Sequence, residues 1–77
     1  MRSSFRENLR IIRKLRRLSV RKGAMKMKIS QSTLQRYEKG ETEPNITKLI
    51  QIADALKIDL DTLCGRKDIS ILSQEPG

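Results

Sequence analysis

The strongest constraint on this chain is the run from Leu18 to Gly40, LSVRKGAMKMKISQSTLQRYEKG, where apolar residues recur at helical spacing twice, each time behind a serine. Ser19 is a natural N-cap, because its hydroxyl can accept from the unpaired N–H groups of a first turn. Val20, Ala24 and Met27 then fall on one face. Ser30 repeats the signal, and Leu34 and Tyr37 form the inward stripe of a second short helix. With those two facing in, Ser32, Arg36 and Lys39 point the opposite way and Gln31 and Gln35 lie on the flank. Two short helices joined by a tight turn make a helix-turn-helix. Gln, Ser and Arg at the leading end of its second helix are residue types that pair with base edges in a major groove. A plain helical hairpin with a solvated outer face has the same periodicity, so the rest of the chain must decide.

Around this pair the spacing predicts three further helices. Phe5, Leu9, Ile12 and Leu15 recur helically behind Ser4, giving a first helix to about Arg17, with Arg6, Arg10, Lys14 and Arg17 mostly outside the stripe. Gly40 supplies the stop after the second helix of the pair, and Glu41 to Pro44 reads as a loop. Asn45 caps a fourth helix with Ile46, Leu49, Ile50, Ala53 and Leu56 assigned to one face, and Asp59 caps a short fifth helix from Leu60 to Cys64, stopped by Gly65. The expected architecture is one all-α, five-helix domain over residues 1–65 with a C-terminal tail over 66–77. In the tail, Asp68 to Leu72 alternates briefly, which fits either a loose terminus or a short arm that helps pair two chains.

Charge separates the readings of the outer face. Residues 1–30 hold eleven Lys or Arg and one acid, Glu7, while residues 31–77 hold six Lys or Arg and eight acids. A net charge of +8 gathered in one half is the electrostatic footprint of a polyanion-binding surface. A membrane-surface role for the Arg-rich first helix is disfavoured, since its apolar stripe is needed for the core. No apolar run approaches the ~20 residues needed to span a bilayer, and Arg interrupts any secretory signal core. Membrane binding is not expected, and a cytoplasmic location is.

Chemistry is excluded by composition. With no His, a single cysteine (Cys64), no Gly-rich phosphate loop and no evident pair of acids in a cleft, the sequence offers no catalytic residues, metal site or cofactor. Only Phe5 and Tyr37 are aromatic, which argues against single-strand binding on stacked aromatic platforms. The lone thiol reads as a small semi-buried hydrophobe.

Leu18-Ser19, Ala24, Ile29-Ser30, Thr33-Leu34, Arg36-Tyr37-Glu38, Gly40 and Pro44, followed by Leu49, Ile52-Ala53, Ala55-Leu56, Leu60-Asp61 and Leu63, resemble the phage-repressor (Cro/Xre-type) helix-turn-helix family. The resemblance runs from about Leu9 to Leu63. It implies a five-helix domain that binds double-stranded DNA, usually as a homodimer on a palindromic operator, and regulates transcription. Carried over position by position, it puts base reading on Gln31, Ser32, Gln35 and Arg36, and a phosphate contact on Ser19. Lys39 falls near the backbone, and Thr33, Arg10 and Arg17 are assigned to phosphates with it. Arg13 and Glu38 fall where many members carry an ion pair joining the first helix to the recognition helix.

The departures are informative. Val20 stands where the family usually has Gln, removing one phosphate contact. Gly23 replaces a large aliphatic residue, which predicts a weaker second helix and a thinner core; Lys28 replaces the turn glycine and would have to hold a left-handed conformation. Glu41 and Glu43 put acid in a loop near the expected DNA backbone. The function expected is a repressor or small controller protein. The alternative is an antitoxin or regulatory subunit of the same fold whose main target is a protein partner. Pairing is expected through Leu60 and Leu63, extended by Ile69, Ile71 and Leu72.

Overall fold

The computed structural model describes residues 4–65 as five helices: α1 (Phe5–Leu15), α2 (Val20–Met27), α3 (Gln31–Lys39), α4 (Ile46–Leu56) and α5 (Leu60–Leu63). The described residues include no strand, and residues 66–77, with Ile69, Ile71 and Leu72, lie outside them. Four of the five predicted caps work through their side chains. Ser19 Oγ accepts from the Lys22 N–H at 3.1 Å, Ser30 Oγ from Thr33 at 3.1 Å, Asn45 Oδ1 from Lys48 at 2.9 Å and Asp59 Oδ1 from Thr62 at 2.8 Å. Each satisfies one of the donors that a helix start leaves unpaired. Ser4 has the N-cap backbone but no cap bond, and its Oγ donates to Glu7 Oε1 instead.

The helix ends carry an unusual cost. Lys28, Gly40 and Lys57 all take left-handed conformations as C-caps of α2, α3 and α4, and Arg17, just after α1, does the same with φ +57°. For Gly40 this is free; for each cationic residue it costs roughly 1–2 kcal/mol. Lys28 thus holds the expected left-handed conformation, with φ +61°. Its carbonyl and that of Met27 both accept from Gln51 Nε2, which ties the turn between α2 and α3 to α4.

The core is aliphatic and drawn from every helix: Leu9, Ile12, Ala24, Met27, Leu34, Ile52, Ala53, Leu56 and Leu63 are buried, with Tyr37 nearly so. Phe5 packs edge-on to Tyr37 with ring centroids 6.3 Å apart, bringing the only two aromatic residues together across α1 and α3. Four expectations need correction. The first helix ends at Leu15 rather than Arg17, and Leu15 is half exposed. On α4 the buried arc is Leu49, Ile52, Ala53 and Leu56, whereas Ile46 and Ile50 are 62% and 45% exposed. Counted at 100° per residue, Ile50 sits far round the helix from Ile52, so an i, i+4 series begun at Ile46 drifts off the core. Leu63 is fully buried and belongs to the core, so it cannot pair two chains; Leu60 remains half-buried. Nor does Gly23 leave the core thin. A Cβ there would lie 3.0 Å from Arg13 Cδ and 3.4 Å from Leu34 Cδ2, because the Arg13 stem fills the space an aliphatic side chain would take.

Candidate nucleic-acid interface

The amphipathic pattern of α3 buries Leu34 and Tyr37, and this fixes the outward direction of the opposite face. Gln31, Ser32, Gln35, Arg36 and Lys39 are all exposed. Among the described residues no hydrogen bond or ion pair engages the side chains of Gln31, Ser32, Gln35 or Arg36, so their donors and acceptors face outward together. Such a row can meet the edges of successive base pairs.

Recognition requires that α3 be held rigidly, and Arg13 does much of this. Its guanidinium forks onto Glu38, Nε to Oε2 at 2.7 Å and Nη2 to Oε1 at 3.1 Å, and Nη1 donates to the Leu18 carbonyl at 2.7 Å. Both side chains are about nine-tenths buried, at 9% and 10% exposure. Planar bidentate geometry is the strong form of such a contact. One residue of α1 therefore joins the third helix to the segment leading into the second.

The phosphate candidates are spread around this unit. Ser19 opens α2 from an exposed position; its oxygen accepts the cap bond, leaving its O–H to donate outward. Thr33 is half-buried, and its Oγ1 accepts from Ser30 Oγ at 2.7 Å, which leaves its own proton free. Arg10 and Lys39 are exposed and line one shallow groove with Gln35 and Glu38. Arg17 is exposed but lies beyond α1 on the left-handed residue, so it does not continue the α1 row with Arg10. Glu41 and Glu43 are exposed in the loop after α3.

Three supports were not anticipated from sequence. Arg6 lies across the end of α3, with Nη1 3.5 Å from the Lys39 carbonyl and its stem where a Gly40 Cβ would be. Arg16 donates to the Leu56 carbonyl at 3.1 Å, joining the end of α1 to that of α4. Asn8, fully buried, donates to the Thr62 carbonyl at 3.0 Å and anchors α5, while its Oδ1 has no partner. Asn8 had a signal, since it sits between Phe5 and Leu9 on the inward side; Arg6 and Arg16 were indistinguishable from solvated arginines.

A helix-turn-helix family model, HTH_3, matches residues 9–63. The chain belongs to that helix-turn-helix family. The cryptic phage CTXphi transcriptional repressor RstR of Vibrio cholerae serotype O1 is 50% identical over 38 residues, which is 49% of this chain and 34% of that repressor. An HTH_3 family transcriptional regulator from Vibrio cholerae superposes with a TM-score of 0.75 at 30% identity, over 90% of this chain and 38% of that one. The P22 c2 repressor, solved with a synthetic operator, gives a TM-score of 0.77 at 25% identity, over 84% of this chain and 98% of that one. The chain thus matches about a third of the length of RstR and little more of the Vibrio regulator, but nearly all of the P22 c2 structure. The five-helix fold is that of the HTH_3 repressors.

Proposed function

We propose that this HTH_3 chain is a sequence-specific double-stranded-DNA-binding transcriptional regulator, a repressor or small controller protein that acts as a homodimer on a palindromic operator. The observation that carries the reading is the outward row of α3, in a fold matching a repressor described in complex with operator DNA. In this mechanism α3 enters the major groove, and Gln31, Ser32, Gln35 and Arg36 meet base edges. Arg36 is the residue able to grip guanine O6 and N7 with two bonds. Ser19, Thr33, Lys39, Arg10 and Arg17 meet phosphates and set register, contributing affinity but little sequence information. Bound over a promoter, the protein acts by occlusion.

The test is selection of bound duplexes from a random pool, followed by footprinting of the winner. An enriched inverted repeat supports the reading. A pool that stays random while the protein binds all duplexes alike would overturn it.

A further inference from the structure

The basic residues of α1 form more than a diffuse patch. Arg6, Arg10 and Lys14 recur every fourth residue along one flank and, with Lys39 of α3, line a groove of about 460 Å³ to which Ile11 contributes an apolar side chain. Ile11 is one of the large apolar side chains left exposed among the described residues. The two carboxylates lining this groove are outnumbered by its four cationic residues. Glu38 is engaged by Arg13, whereas Glu7, among the described residues, accepts only from the neutral Ser4 Oγ. Among the described residues neither Arg10 nor Lys14 has an acidic partner.

We propose that this α1–α3 groove binds an acidic peptide segment of a partner protein, and that its occupation excludes DNA. Residues four apart on a helix are about 6 Å apart along its axis. Alternate side chains of an extended chain are about 6.6–6.8 Å apart, so alternating Glu or Asp can meet Arg6, Arg10 and Lys14 in turn. An apolar side chain of the same segment covers Ile11. A DNA backbone fits these features less well. It has nothing to lay on an exposed isoleucine. Exclusion follows from shared residues: Arg10 and Lys39 serve the proposed phosphate contacts, and Gln35 lines the adjoining groove. The exclusion rests on the DNA reading above, whereas the groove itself does not.

The experiment titrates the full chain at physiological ionic strength with a short peptide in which Glu alternates with Ser around one Leu, followed by amide chemical shifts. Saturable 1:1 binding is expected, with shifts gathered on Arg6, Arg10, Ile11, Lys14 and Lys39. Ile11→Ser should weaken peptide binding about fivefold through lost apolar burial while leaving DNA affinity unchanged. Lys14→Glu should weaken it further, and Lys57→Glu, remote from the groove, by less than about twofold. The peptide should release a bound duplex from the intact protein. Unsaturable binding, shifts scattered over the basic surface, or equal losses from Lys14→Glu and Lys57→Glu would overturn the groove. Localised peptide binding that leaves the duplex in place would overturn the exclusion alone. If Lys14→Glu impairs DNA binding while the peptide does not bind, the row is a phosphate contact instead. Failure of the DNA reading is separately visible, since the peptide titration contains no DNA.

Discussion

Arg36 and Arg10 carry the same charge but should fail differently when removed. Arg36→Ala deletes a candidate guanine contact and is expected to cost roughly 1–3 kcal/mol on the preferred site, with relaxed preference at one base pair. Arg10→Ala deletes a phosphate contact, so all duplexes should weaken alike and the dependence of log K on log salt should flatten by about one unit. Titrations of matched and single-mismatch duplexes at several salt concentrations separate the two; uniform losses from both variants would remove base reading from α3. A different arginine tests architecture. The Arg13–Glu38 fork is nearly buried and also satisfies the Leu18 carbonyl, so removing either partner strands a charge. Arg13→Ala or Glu38→Ala is expected to cost about 3 kcal/mol in urea melts, well above the ~1 kcal/mol of an exposed pair. The double variant should lose far less than the two costs added together.

At the level of the helices, the left-handed C-caps give the clearest stability expectation. Lys28→Gly should raise stability by about 1 kcal/mol, because the left-handed residue loses its steric cost while the Gln51 bond to its carbonyl needs no side chain. Gly23→Ala should not yield the roughly 1 kcal/mol that helix propensity alone suggests. The new Cβ meets an Arg13 stem whose far end is fixed by Glu38 and Leu18, and a flexible neighbour would have yielded where this one cannot. Urea melts of the two variants check both signs. These cases also mark what the sequence could disclose. Helix starts were legible because a cap is a local device, one side chain answering an N–H three residues on. The α3 outer face was legible because Leu34 and Tyr37 fix it alone. The α4 face was not: Ile46, Leu49, Ile50, Ile52 and Ala53 span an apolar arc of roughly 160°, wider than the buried one, and only packing selects which part of it faces the core. The space beside Gly23 was equally hidden, since its occupant comes from α1. Arg6 and Arg16 act on carbonyls distant in sequence, which no local pattern records.

For the whole molecule, the question is how so small a reader obtains enough information. One recognition helix covers only a few base pairs, too little to single out a site among the competing sequences of a genome. Two copies on a two-fold axis would read inverted half-sites about one helical turn, near 34 Å, apart. The pairing surface cannot be the one expected from sequence in full, since Leu63 is spent on the core. Leu60 and the exposed Asp61 remain on α5, while the tail beyond Gly65 lies outside the described residues. Charge favours this end, because two copies meeting through residues 1–30 would each bring eleven Lys or Arg and one acid to the contact. Half-site spacing provides a test that needs no knowledge of the contact. On the selected operator, inserting about five base pairs turns the second half-site to the opposite side of the duplex, and affinity should fall to that of an isolated half-site. Inserting a full turn of about ten should restore the facing but not the distance, so cooperative binding should remain lost if the two chains are rigidly paired. Sedimentation should find two chains on the intact palindrome. Saturation by one chain, or affinity indifferent to the half-turn insertion, would show that the chain reads DNA alone.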